Sequence, residues 1–307
     1  MWAGGSLSPY ADMCPILRLL GLWHNESVSE HKPSHAGPAS YRPRQHRALS
    51  PASAAVACVS AAAVLLFGFE SDWGYLPLAV GLIGSWAIDR ALGRDVLLIC
   101  LALALISTIS LKADISWGNI ALMGAVLSGA VIIPYAISRW VYRDHAVRFP
   151  RRIGEPWSKL EWSWLFIVLF LGWLILPRYF ISSGVYTNWP AVEAPSEILR
   201  LFLGVNAVGI WDELFFICTV FTLLYRHFSF WTANVLTSVI FVSFLWELGY
   251  QAWGPVLTIP FALVQAVIFT RTKSLPYTIC VHLLFDLIVF LTIVHAHHPG
   301  ALPIFWY

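Results

Sequence analysis

The stretch IWDELFF, residues 210–216, sets Asp212 and Glu213 side by side in the middle of an apolar run, and further along VHLLFD carries His282 and Asp286 four residues apart. These are the groups that peptide hydrolysis uses: a carboxylate to take a proton from water, and a donor aimed at the developing oxyanion. Burial raises a carboxylate's proton affinity, so one member of the acid pair can hold a proton while the other serves as base. Glu213 has the longer reach and is the candidate base; His282, oriented by Asp286, is the candidate oxyanion donor. The same groups could instead hold a divalent cation or relay protons. A single buried His or Asp is ordinarily a structural hydrogen-bonder, and for Asp286 alone that reading weighs as much as a functional one. The constellation, rather than any one member, argues for a site.

The elements that must position these residues are membrane helices. Hydrophobic residues make up 58% and charged residues 12% of 307 positions, and the apolar residues come in blocks of about 18 or more, the length a bilayer-spanning helix needs. The expected fold class is all-α, a polytopic membrane helix bundle. Breaks at Pro, Gly and charges place nine expected spans at 51–69, 75–91, 95–111, 117–138, 161–182, 199–225, 229–248, 254–270 and 275–295. With the N-terminus in the cytoplasm, 16 of the 19 basic residues fall in inside segments, and Lys112, Arg178 and Arg200 fall outside. That asymmetry is the positive-inside pattern, so the expected topology has the N-terminus in and the C-terminus out.

Four regions follow: a polar tail over 1–50, four spans over 51–138, a basic cytoplasmic loop over 139–160, and a five-helix region over 161–298. The tail, rich in Ser, Pro and His, is expected to be disordered, with the first span an uncleaved anchor. Its histidines, His24, His31, His35 and His46, could bind metal, although a solvated low-complexity arm explains them more simply. The basic loop is expected to meet anionic lipid headgroups rather than nucleic acid. Five cysteines show no paired spacing and read as small core residues. Trp211, Trp246, Trp253, Trp306 and Tyr307 read as interface anchors and packing.

Most acids lie in the tail, in loops or at span ends, but Asp212, Glu213 and Asp286 sit well within hydrocarbon. Each costs about 3 kcal/mol near the bilayer centre on insertion scales, so several in neighbouring helices point to one buried polar site. His282 and Asp286 share a helix face, whereas Asp212 and Glu213 differ by about 100° and are not expected to point at one target. Glu213 and Asp286 both lie roughly 15–20 Å from the inner boundary, so their helices can meet at one level. Glu247 sits higher and is expected to line the outer mouth; Asn206 either lines the site or satisfies a neighbouring helix.

In order and spacing, DELFFI, then TSVIFVSFL, then RTKSLPYTICVHLLFD resemble the three motifs of the CPBP family, the type II CAAX prenyl proteases and bacteriocin-processing or Abi proteins. The resemblance covers about residues 196–295, and its most specific part is the third stretch. It implies an intramembrane endopeptidase of a bacterial plasma membrane in which Asp212 stands where the family's first Glu acts as general base, Glu213 matches the second Glu, and His282 and Asp286 match the third motif. Phe241 matches the Phe of the second motif and so becomes a candidate lining residue. The family's Arg falls on Ile217 and its second-motif His on Leu245, so two polar positions are apolar here.

The expected function is hydrolysis of a peptide bond in a membrane-embedded or lipid-associated substrate, by catalytic residues Asp212, Glu213, His282 and Asp286, with no organic cofactor and with metal dependence left open. Two alternatives stand beside it: an inactive relative that binds a membrane peptide as an immunity or maturation factor, and the cation or proton site of a transporter. Against the transporter, the sequence has no HExxH signature, no matched pair of interrupted helices and no internal repeat.

Overall fold

The computed structural model describes residues 45–152, 155–300 and 303–306, and every regular element among them is helical. The longer helical segments among the described residues are α1 (Pro51–Gly68), α2 (Tyr75–Ile88), α3 (Arg90–Ile106), α4 (Trp117–Val141), α5 (Lys159–Ser182), α6 (Pro195–Tyr225), α7 (Phe230–Leu248), α8 (Pro255–Thr272) and α9 (Leu275–His297), each overlapping one expected span. Seven are long and apolar enough to cross a membrane; α2 and α3, at 14 and 17 residues, fall short of that length. The chain is therefore a multi-pass membrane protein.

Local chemistry sets where these helices begin. Ser50 caps α1 through the Ser53 N–H with Pro51 in the first turn, where a missing N–H costs nothing. Ser158 and Glu161 cap α5 reciprocally. Between α2 and α3 a single residue makes the break: Asp89 is extended, at φ −151°, and its Oδ1 accepts from the Ala91 N–H at 2.8 Å. That cap starts α3 at Arg90, earlier than the hydropathy pattern places it, and tucks Asp95 inside the bundle at 2% exposure.

Hydrogen bonds sort the connections into two ends. At one end the His46 N–H donates to the His227 carbonyl at 2.7 Å, Arg226 Nη1 bridges Asp95 and Asp144 at 2.9 Å each, and the Leu275 N–H donates to Pro150. At the other, Lys112 pairs with Glu70, the Leu111 N–H donates to Glu247 Oε1, Asn188 donates to Gly249, and His298 bonds Val192. Helices that join one set to the other in turn must alternate in direction, so all nine segments run up and down between the two ends. The tail reading falls on residues that lie, up to 44, outside the described ones; residues 45–50 are folded against the first end, where Gln45 also donates to the Arg226 carbonyl. Cys14 and Tyr307 lie outside the described residues as well, and Cys58, Cys100, Cys218 and Cys280 are free thiols.

The core around α6 and α7 is aromatic. Trp211 stacks on Phe215, Phe216 stacks on Phe241 with centroids 4.2 Å apart, and Phe244 closes against both Trp211 and Phe216. Trp211 Nε1 donates to the Leu127 carbonyl at 2.7 Å, so this tryptophan is a buried strut and not an interface anchor. The Arg226 bridge is the main polar fastening at the first end. Replacing Arg226 with Met would leave buried Asp95 with His227 as its remaining side-chain partner, at a cost of about 3 kcal/mol; thermal unfolding in detergent should show that loss, and an unchanged midpoint would mean that the bridge contributes nothing.

Candidate functional site

Asp212 and Glu213 stand where α6 changes its backbone register. Residues Pro195–Asp212 are α-helical, and Glu213–Phe221 continue with the wider i to i+5 spacing of a π-helix. Two threonines hold that spacing: Thr219 Oγ1 donates to the Leu214 carbonyl and Thr222 Oγ1 to Ile217, each five residues back and each at 2.9 Å. Such widened turns are rare and tend to occur at functional sites.

The adjacent acids nevertheless meet one target. His282, projecting from α9, has Glu213 Oε1 at 2.7 Å from Nδ1 and Asp212 Oδ2 at 3.7 Å from Nε2. The two carboxyls approach different nitrogens of one ring, which corrects the expectation from a uniform α-helix that they diverge. Asp286, one turn beyond His282 on the same face, brings Oδ1 to 3.8 Å from Nε2. The short contact to Glu213 is a hydrogen bond; the contacts near 3.7 Å are charge-range contacts. All four side chains are buried, from 0% exposure at Glu213 to 5% at Asp286.

Two further residues complete the site. Gln265, from α8 and 1% exposed, donates through Nε2 to the same Glu213 Oε1 at 2.6 Å. Glu213 Oε1 thus accepts twice, whereas Glu213 Oε2, Asp212 Oδ1 and Asp286 Oδ2 have no hydrogen-bond partner. Gly209, one turn before Glu213, is where α6 touches α9: a Cβ there would overlap Asp286 Oδ2 and stand 3.2 Å from His282 Cδ2. A sequence search confined to ionisable groups passes over both. The available signals were an uncharged amide inside an apolar span and a small residue on the helix face that meets a neighbour.

The remaining candidates sit around or away from this centre. Phe261 stands edge-on to the His282 ring at 4.9 Å, and Phe241 lies 6.4 Å from it, so aromatic rings wall one side. Asn206 turns back to the Phe202 carbonyl of its own helix at 2.7 Å. Glu247 is committed to the Leu111 N–H at the second end. Ile217 and Leu245 are both buried in the hydrophobic core, at 1% and 5% exposure. Chemically, the arrangement offers one imidazole ringed by three carboxyls and an amide donor, with three carboxyl oxygens left to bind hydrogen-bearing groups. The same oxygens could ligate a hard cation.

The close approach at Gly209 makes a direct expectation. Gly209→Ala must push Asp286 or α9 aside and should lower stability by about 1–3 kcal/mol. Gly204→Ala on the same helix, with nothing within 4 Å of the added carbon, should be neutral or slightly stabilising because alanine favours a helix interior. Thermal unfolding of both variants in detergent compares them; equal midpoints would remove the tight α6–α9 contact.

No curated protein and no solved structure matches this chain. A protein-family model does: residues 194–288, which begin at the cap of α6, end just past Asp286 and include Asp212, Glu213, Gln265 and His282, match the family described as type II CAAX prenyl endopeptidase Rce1-like.

Proposed function

We propose that the chain is an intramembrane endopeptidase that hydrolyses a peptide bond in a membrane-associated peptide or protein at the His282 centre. The observation that carries this reading is the convergence of Glu213, Asp212 and Asp286 on one imidazole, inside the stretch that matches a protease family. A water bound between the unpartnered carboxyl oxygens gives a proton to a carboxylate and adds to the peptide carbonyl. Glu213 is the base because Oε2 is free while Oε1 is anchored by His282 and Gln265. The oxyanion takes a hydrogen bond from Nε2–H of a doubly protonated His282, whose Nδ1–H stays on Glu213 and whose orientation Asp286 biases. The proton on Glu213 then passes to the leaving nitrogen as the C–N bond breaks, so that one water is consumed and an acid and an amine are produced. Gln265 is a positioning residue: it holds Glu213 by a neutral donor in a chain where Ile217 occupies the family's Arg position.

The centre is sealed, so a substrate reaches it only when packed helices part. Parting α9 from α5 or α8 would open a path from the bilayer, in keeping with a substrate that arrives in or on the membrane. We place the first end of the bundle in the cytoplasm and let all nine segments cross, because that end gathers the basic loop. Its exposed Arg139, Arg143, Arg148, Arg151 and Lys159 suit anionic headgroups of a plasma membrane. A second reading, a peptide-binding relative that does not cleave, is favoured by the apolar Ile217 and Leu245 and by the closed centre.

Variant processing separates the two. Glu213→Gln or Asp212→Asn should reduce precursor cleavage at least 100-fold, the lower range for a lost general base, with protein abundance nearly unchanged, because a neutral amide is cheaper in hydrocarbon than a charge. Glu247→Gln keeps an oxygen for the Leu111 N–H and should cleave normally. The measurement is the ratio of cut to uncut membrane peptides in cells that express each variant. Retained cleavage in Glu213→Gln would sink the assignment, and no cut peptide even with the native protein would favour the binding reading. Reporters fused after residues 145 and 226 should read cytoplasm and one after 298 the outer side; an outer signal at 226 would reverse the orientation.

A further inference from the structure

A second set of ligand-type side chains lies at the first end of the bundle, on elements that the His282 centre does not use. His46, Asp89 and His227 each present a nitrogen or carboxylate oxygen, and these three atoms lie within 4.8 Å of one another. They come from three separate places: the segment before α1, the break between α2 and α3, and the turn after α6. His46 Nε2 stands 3.3 Å from Asp89 Oδ2. That is about the edge of a ligand tetrahedron with bonds of about 2.0 Å, and longer than a good hydrogen bond between these atoms.

The roles of the individual atoms agree with ligation. Asp89 spends Oδ1 on the helix cap, which leaves Oδ2 turned to His46. His227 is 0% exposed, and its Nε2–H donates to Asp95 Oδ2 at 2.7 Å. That bond fixes the tautomer and leaves Nδ1 with a lone pair, and Nδ1 has no hydrogen-bond partner. A buried acceptor with nothing to accept is costly, and a carboxylate behind a histidine is how metal-ligating imidazoles are commonly oriented. Asp95 and Asp144 share the Arg226 guanidinium, whereas Oδ2 of Asp89 faces His46.

We propose that His46, Asp89 and His227 bind a divalent transition-metal ion of the zinc class, His227 through Nδ1, with solvent completing the coordination. Two imidazoles and one carboxylate are a donor set that suits zinc better than magnesium or calcium, which prefer all-oxygen sites. The ion ties residues 45–50 to the α2–α3 break and to the end of α6, the helix that carries Asp212 and Glu213. The site stands independently of the proposed peptidase activity.

The test uses the full chain, purified in detergent without a histidine tag, stripped with EDTA and titrated with Zn2+. About one equivalent should bind, and the unfolding midpoint should rise by about 5 °C at saturating zinc. His46→Ala, at the half-buried rim, and Asp89→Asn should each weaken binding at least tenfold and abolish the rise; His227→Gln should do the same if it folds. Glu213→Gln should bind zinc as the native protein does. Absence of stoichiometric binding, binding that persists in His46→Ala and Asp89→Asn, or binding that is lost in Glu213→Gln but kept in those two, would each overturn the assignment.

Discussion

Everything at the centre of this protein depends on one buried contact, His282 Nδ1 to Glu213 Oε1 at 2.7 Å. A carboxylate and an imidazole placed separately in hydrocarbon would each be costly. Brought together, with Gln265 as a second donor to the same oxygen, they offset much of that cost. Asp212 and Asp286 then add two more carboxyls around the other ring nitrogen, so three acids surround a single imidazole. Removing the imidazole would leave the acids with no reason to stay buried together.

The surrounding structure reads as the means of making that contact. Gly209 lets α6 and α9 approach until Asp286 lies against bare backbone. The widened turns begin at Glu213, and the threonine hydroxyls that bond five residues back keep them wide. Phe216, Phe241 and Phe261 form an apolar wall that strengthens electrostatic interactions inside it. At the first end of the bundle, Asp95 and Arg226 anchor the far end of the same helix.

The helices and the four ionisable members of the centre were legible in the sequence because hydrocarbon is an unforgiving solvent. Apolar blocks between Ser, Pro and Gly breaks mark helices, and a charge inside such a block needs a partner. The pairing of His282 with Asp286 follows from a spacing of four on an ordinary helix. The convergence of Asp212 and Glu213 on one ring does not, because it needs the ring of another helix to stand between the two side chains, and no local pattern announces where that ring sits. Gln265 and Gly209 carry no charge and so escaped a search for charge. Asn206 and Glu247 are polar residues within apolar spans whose partners the sequence does not show: one bonds its own helix and the other closes a loop at the second end. His46 shows that composition misleads for single residues, since a histidine in a Ser- and Pro-rich stretch proves to be packed against His227 and Asp89.

The central claim is that the His282 centre directs water at a peptide bond, and isotope labelling tests it most directly. The purified protein, reconstituted in anionic liposomes with membrane peptides extracted from its own cells, would be incubated in H2 18O and the new C-termini read by mass spectrometry. Hydrolysis predicts a single 18O in each newly formed carboxyl, at sites that vanish with His282→Gln. New C-termini without label, or labelled ones that persist in that variant, would contradict the account.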